Sequence, residues 1–487
     1  MHGTVPALKP GTFGFLARLS RRVKKARQDD EVGMAQTAVT IRREIAQSNP
    51  EKLPELAASL HQLAYRLGRA LRVAEALTPM LEAVAIRRRL ADSDPDRFLP
   101  LLATSLHDQS VLLAAASRRA EALAPMQESV AIRRRLAKAD AEAYLPVLAA
   151  SLVQLSARLS NVGRRVDALI PAQETVAIHR RLAEADRGHF LPYLALSLSE
   201  LSVHLSNAGR EDEAVAPIQE AISLRRQLAM ADPEGFSRPL AFSLNILGAA
   251  LQALGRHEAS LAQLQEAVTI QRKLPQAGSE ALVDELAASL DNLSMALENT
   301  GRGDEGIAAL REAVAIRRRL AEANPDRKLP VLAKSLTNLA SSLGKAGQVH
   351  DELAAAEESV AINRRLAEAE PSAFIPDLGI SLGNLAIALR DVGRRSDELA
   401  IAEEATTIFR RLANAEPNAF LPDLANSLTN LSDSLAASGR QDEAMRMVNE
   451  AIELRRGLSE RDPKRYAGDL DHSLALRERL MSASGDC

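Results

Sequence analysis

Leucine, isoleucine, valine and alanine alternate with polar residues along this chain at spacings of three and four, and the pattern restarts every 46 residues. Around Pro100 the apolar positions are Leu102, Leu106, Leu112 and Leu113, one face of a helix of about 17 residues, roughly 25 Å long. This helix A is expected to open at a proline, whose missing N–H costs nothing in a first turn. Pro100, Pro146, Pro192, Pro330, Pro376 and Pro422 hold that place. It should close at a glycine able to adopt the left-handed conformation, the role of Gly163, Gly209, Gly255, Gly301, Gly347, Gly393 and Gly439. A second helix B follows, as in residues 442–459, with the stripe Ala444, Val448, Ala451, Ile452 and Leu454. Helix B often stops at an acid–Pro or Asn–Pro pair: Asp94-Pro95, Asp232-Pro233, Asn324-Pro325 and Asp462-Pro463.

The beat is kept by ten Ser-Leu pairs, from Ser59-Leu60 through Ser105-Leu106 and Ser427-Leu428 to Ser473-Leu474, at an unbroken spacing of 46 residues. A fixed period in this range predicts a solenoid, in which each unit buries its apolar face against its neighbours. The unit is identified by the residues around one glycine: Leu428, Leu431, Ser432, Leu435, Gly439, Ala444, Ala451 and Ile452. This large-large-small-large order, with small residues in helix B, resembles the tetratricopeptide repeat over roughly residues 10 to 480. A tryptophan-like first position is missing, and each unit is about twelve residues longer than the family's usual 34. The length, and Glu-Ala-Leu-x-Pro at Glu75 to Pro79 and Glu121 to Pro125, are similar to kinesin light chain repeats. Long repeats with Ala-Ile-Arg-Arg-Arg-Leu also resemble those of bacterial signalling proteins. The resemblance implies an all-α, right-handed superhelical solenoid of about nine helix pairs, with helix A lining the concave face. It also implies a non-catalytic scaffold that binds a protein or peptide in that groove; the alternative is a sensor or oligomerisation arm of a bacterial, NTPase-regulated signalling system.

The array is not uniform. Residues 1–28 read as a basic segment and degenerate capping helix, 29–273 as a first half-array, 274–284 as an irregular seam, 285–463 as a second half-array, and 464–487 as a cap and tail. The first segment carries Lys9, Arg18, Arg21, Arg22, Lys24, Lys25 and Arg27 before any acid. Pro79, Pro125, Pro171 and Pro217 share one helix-B position and then give way to Gln263, Ala309, Ala355 and Ile401, which predicts a shared kink or a late helix start. Leu274-Pro275-Gln276-Ala277-Gly278 marks the seam, a candidate hinge. Seven of the thirteen aromatics (Phe98, Tyr144, Phe190, Phe236, Phe374, Phe420 and Tyr466) recur at one place, expected as a loop anchor just before helix A.

Charge narrows the function classes. With 61 basic and 64 acidic residues there is no global pull toward nucleic acid or anionic membrane. The single cysteine, Cys487, leaves no disulfide within the chain and no cysteine zinc site. A continuous apolar run long enough to span a bilayer is not evident, and Ser20-Arg21-Arg22 lacks the apolar segment of an export signal, so a cytoplasmic location is expected. Walker, zincin and nucleophile-elbow motifs are missing, so the chain is expected not to be an enzyme and to need no cofactor.

Three sets of residues could carry recognition. His61 and His107 hold the same position in adjacent A helices, with Tyr65 one turn on; they suit surface histidines or a ligand contact better than a metal. Arginine clusters such as Arg87-Arg88-Arg89, Arg133-Arg134-Arg135 and Arg317-Arg318-Arg319 lie near the end of helix B, where they suit the helix dipole and nearby glutamates better than nucleic acid. The third set is Asn292, Asn338, Asn384 and Asn430, joined by Thr337, Thr429 and Asp433. Amides in a row either offer donor and acceptor pairs to an extended peptide or lock one helix to the next. Of the basic residues that form the family's clamp for a peptide carboxyl terminus, only Lys334 stands beside them.

Overall fold

A computed structural model describes residues 10–275 and 279–485, with side chains described except at 10–28, 464, 465 and 483–485. Gln276, Ala277, Gly278 and Cys487 therefore lie outside the described residues, as do Lys9 and the side chains of Arg18, Arg21, Arg22, Lys24, Lys25 and Arg27. Every described element is helical, and the helices divide between two compact units that meet at Asp232/Pro233 in sequence.

In the first unit, α1 (Pro10–Ser48) and a 3-10 turn (Pro50–Lys52) lead into α2 (Leu53–Arg69), α3 (Val73–Ser93), α4 (Pro95–Ala115) and α5 (Leu123–Ala139). Then follow α6 (Ala141–Asn161), α7 (Leu169–Ala185), α8 (Arg187–Asn207) and α9 (Glu211–Ala231). The second unit contains α10 (Pro233–Ala253), α11 (His257–Lys273), α12 (Glu280–Asn299), α13 (Gly303–Ala323), α14 (Pro325–Lys345) and α15 (Val349–Ala369). It continues with α16 (Pro371–Asp391), α17 (Arg395–Ala415), α18 (Pro417–Ala437), α19 (Gln441–Arg461) and α20 (Pro463–Gly485). From α2 onward, even numbers are A helices and odd numbers B helices. Within each unit every helix packs on the next, and several A helices also touch the following A helix.

The hairpins form as the apolar spacing predicts. Leu102, Leu106 and Leu113 of α4 are all at most 5% exposed, so each contributes about 1.5–3 kcal/mol by leaving water. Seven hairpins close at left-handed glycines with φ between 70° and 80°, and two at Leu71 and Ser117 with φ of 60° and 61°. There the N–H of the following arginine reaches back to helix A, as Arg210 does to the Leu205 carbonyl at 3.0 Å. Serines tie the two arms together: Ser110, Ser156, Ser202 and Ser432 donate to the carbonyls of Ala122, Ala168, Ala214 and Ala444 at 2.6–2.8 Å.

Three local expectations change. Most A helices begin a turn earlier than the inner proline suggests, so Pro100, Pro146, Pro192, Pro330, Pro376 and Pro422 lie inside 21-residue helices. Two local devices support the earlier start: Asp94, Asp140 and Asp186 accept the N–H groups of Arg97, Ala143 and His189, and Pro95, Pro325, Pro371 and Pro417 fit the first turn of their helices. An inner proline loses one backbone bond, to the carbonyl four residues back, and the N-cap holds the added turn. Consequently the aromatics sit in the first turn of helix A rather than in a loop, with Phe98 only 5% exposed against Leu102, Leu106 and Val84. The helix-B prolines split between the two expected outcomes. Leu123 and Leu169 start α5 and α7 two residues before Pro125 and Pro171, whereas Pro79 and Pro217 stand inside α3 and α9.

The amino end also differs: no turn breaks residues 10–48, which run as one helix. One described helix, α16, is long and apolar enough to cross a membrane by length and composition. Its Leu378, Leu382, Leu385 and Leu389 are buried in the core shared with α14 and α15.

Candidate binding site: a buried arginine column and its interruptions

The first arginine of each cluster is not on the surface. Arg87, Arg133, Arg225, Arg317 and Arg455 occupy one register of helix B and are 4–8% exposed. The Arg87 guanidinium donates to the Leu101 carbonyl at 3.0 Å and to Ser105 Oγ; Arg133 does so to Val147 and Ser151, and Arg455 to Asp469 and Ser473. Arg317 donates to Ser335 Oγ and pairs with Asp291. The serine of the Ser-Leu beat, at Ser105, Ser151, Ser335 and Ser473, is therefore the acceptor for a buried cation from the preceding helix B. Burial lowers the pKa of Arg87, Arg133 and Arg455, and pulls Arg225 down to about 10, so all stay charged near neutrality.

The second arginine of the cluster turns outward and pairs with a glutamate 40 residues on, in the next helix B: Arg88–Glu128, Arg134–Glu174, Arg180–Glu220, Arg272–Glu312, Arg318–Glu358, Arg364–Glu404 and Arg410–Glu450. These arginines build a ladder of ion pairs along successive B helices.

The buried column is broken four times, by His179, Gln271, Asn363 and Phe409. All four replacements line cavities on the A-helix face. His179 borders a space of about 420 Å³ with Val147, Phe190, Tyr193, Ser197 and Glu200. Gln271 borders about 260 Å³ with Phe242, Asn245 and Asn292. Asn363 borders about 610 Å³ with Lys334, Thr337, Asn338 and Asp377. Phe409 lies beside about 400 Å³ bounded by Asn384, Asp423, Asn426, Asn430 and His472. Ser151 and Ser335, where the arginine is present, bond the carbonyl four residues back; at the gaps Ser197, Ser381 and Ser427 turn to the carbonyl three back, while Ser289 beside Gln271 keeps the one four back.

The asparagines Asn292, Asn338, Asn384 and Asn430 thus all face cavities, and none of their side-chain amides has a hydrogen-bond partner among the described residues. Their companions are occupied: Thr337 bonds Ala333 O at 3.0 Å and Ser359 Oγ at 2.8 Å, and buried Thr429 bonds Ala425 O at 2.9 Å. Asp433 lies 3.8 Å from Arg390. His61 and His107 do not converge. His61 Nδ1 meets Ser105 Oγ at 2.9 Å and its Nε2 meets Asp108 at 3.1 Å, while His107 Nδ1 meets Ser151 Oγ at 3.3 Å. Each histidine therefore bridges to the next A helix, and burial beside Arg133 lowers the His107 pKa. Tyr65 is half exposed, with Arg69 about 6.0 Å from its ring centre. Among the described residues no three histidine, cysteine or carboxylate side chains gather as a metal site would need.

The column and its gaps are the features that reading by residue type misses. The signal was present: aligning Arg87, Arg133, His179, Arg225, Gln271, Arg317, Asn363, Phe409 and Arg455 at the repeat period exposes all four gaps.

Several solved structures are similar to this chain. A putative kinesin light chain from Podosopora anserina with nearly identical TPR-like repeats is 22% identical, covering 45% of this chain and 95% of its own, with a TM-score of 0.36. The apo form of RapI is 14% identical over 83% of this chain and 99% of its own, at 0.50. A signal transduction ATPase with a tetratricopeptide repeat sensor, from Pyrococcus horikoshii, is 13% identical over 73% of this chain and 49% of its own, at 0.44. No curated protein matches. The model of the tetratricopeptide repeat matches residues 56–96, 102–140, 241–274, 286–326, 332–371, 379–418 and 424–463, more than half of the chain. With that coverage, on hairpins of this geometry, the chain belongs to the tetratricopeptide repeat family.

Proposed function

We propose that the chain is a non-catalytic scaffold that holds an extended segment of a partner protein along the A helices of its second unit, against Asn292, Asn338, Asn384 and Asn430. Tetratricopeptide repeats generally mediate protein–protein interaction. The observation that carries the finer reading is that all four amides open on cavities and have no hydrogen-bond partner among the described residues. An amide that locked helices together would be spent on a neighbour. One that reads a peptide backbone must have its donor and acceptor free when the site is empty.

The test is a pulldown with wild type and with a variant carrying all four asparagines as alanine, alongside thermal unfolding. Loss of captured partners at unchanged stability is the expected result. Unchanged capture, or a large loss of stability, would return the asparagines to a structural role.

A further inference from the structure

The gap in the arginine column at His179 has the make-up of a receptor for a side chain the protein itself lacks there. Its neighbours in register, Arg133 and Arg225, are buried guanidinium groups. Arg133 shows what such a group touches: a serine Oγ and the carbonyl four residues before that serine. The corresponding groups at the gap are Ser197 and the carbonyl of Tyr193, and Ser197 has turned to the Leu194 carbonyl at 3.0 Å. His179 is 8% exposed, and its Nδ1 is buried without a hydrogen-bond partner.

The remaining walls suit a cation. Tyr193 stands 5.9 Å from the His179 ring, 5.6 Å from His189 and 6.2 Å from Phe190, so four rings share one wall. Glu200 is the only acid or base, histidines aside, among the lining residues. It has no hydrogen-bond partner among the described residues; Arg225 acts on it only through its charge, and burial raises its pKa. Pro146, Val147, Val153 and Leu196 supply apolar surface for an aliphatic stem, with Val147, Tyr193 and Leu196 each more than two-fifths exposed at the mouth. Residues 141–240, which contain this cavity, are also outside every stretch matched by the repeat model.

We propose that this cavity of the first unit takes an arginine side chain of a partner polypeptide, whose guanidinium completes the interrupted column. The planar fork would donate to Glu200, His179 Nδ1 and Ser197 Oγ while lying against the aromatic wall, a combination an ammonium fills less well. The proposal is independent of the asparagines, which all lie in the second unit.

The probes are three capped heptapeptides, glycine throughout except for arginine, lysine or citrulline at the centre, with free L-arginine as a fourth, titrated by NMR into the full chain. The arginine peptide is expected to bind at least about tenfold more tightly than the citrulline peptide and more tightly than the lysine peptide. His179→Arg is the informative variant, because five other units fold with arginine at this place. It should keep the wild-type circular dichroism, unfold no earlier, and lose about tenfold or more in affinity as its own guanidinium fills the cavity. Glu200→Gln should weaken binding, and the fourfold asparagine variant should leave it unchanged. Equal binding of citrulline, equal binding of lysine, undiminished binding by a folded His179→Arg chain, or no binding to wild type would each overturn the proposal. Free L-arginine binding as tightly as the peptide would overturn the assignment to a polypeptide side chain.

Discussion

Replacing Ser117 or Leu71 with glycine should stabilise the first unit, because these two residues stand where seven other hairpins have glycine. Both are left-handed, with φ of 61° and 60°. An L-residue pays about 1–2 kcal/mol for that conformation. Glycine would remove the cost but bring back about 0.5–1 kcal/mol of unfolded-chain entropy. The net expectation is a gain of about 0.7 kcal/mol for each substitution. Little else enters the comparison. Leu71 is 87% exposed, so its side chain leaves no core, and a Cβ built on any of the seven left-handed glycines meets nothing within 4 Å. The reverse change, Gly209→Ser, should therefore cost a similar amount through the backbone alone. Solenoids do not unfold as a single cooperative body, so a global midpoint would blur the effect. Hydrogen exchange reads it locally, at the Arg118 amide that bonds the Leu113 carbonyl at 2.9 Å. Protection there should rise about threefold in Ser117→Gly, and the equivalent Arg210 amide should lose protection in Gly209→Ser. If both glycine variants were neutral or less protected, the strain argument would be refuted.

Other expectations follow from single side chains. Phe98→Ala should cost about 3–5 kcal/mol, read by urea unfolding, since the ring in the first turn of α4 is buried in the core with Val84 and Ile132, and a loss below 1 kcal/mol would mean it only caps a loop. Arg317→Met should cost about 3 kcal/mol by stranding the partly buried carboxylate of Asp291, and adding Asp291→Asn should restore most of it. Glu352, 3% exposed against Gly344, has its pKa pushed up from 4.5 to about 7 by burial and by the like charge of Asp391. The folded chain therefore holds that proton more tightly than the unfolded one, and the residue destabilises increasingly as pH rises from 4.5 through 7. Glu352→Ala should raise the Tm at pH 8 and change it little near pH 5; an equal shift at both would remove titration from the explanation. Arg88→Ala should cost no more than about 1 kcal/mol, as suits an exposed ion pair.

The hairpins were legible in the sequence because glycine, the apolar stripe and the acid–Pro pair are local signals. The start of helix A was misplaced where two local signals competed: Pro95 with its cap Asp94, and Pro100 five residues on, both look like a first turn. In α4 the Asp94 capping bond favours the outer proline, and that bond depends on a side-chain rotamer that residue type alone does not specify. The arginine clusters posed a different difficulty. Arg87 and Arg88 share the repeat period, so periodicity could not separate the buried residue from the exposed one. Only the direction in which each leaves helix B does that. The cavities are further still from local sequence, since their walls come from three or more successive helices. The asparagines could be found by type, but their lack of partners could only be seen once neighbouring helices were in place.

The outer ladder has a consequence for how such a chain can change length. Each helix B carries a glutamate that answers the arginine behind it and an arginine that answers the glutamate ahead. Glu128 faces Arg88, and Arg134 faces Glu174. A gene segment duplicated or deleted in steps of one period therefore leaves every charge matched, wherever the cut falls within the period. A step of any other size strands at least one arginine and one glutamate. Repeat number can therefore change without unpairing the ladder, at a stake of about 1 kcal/mol or less for each exposed pair.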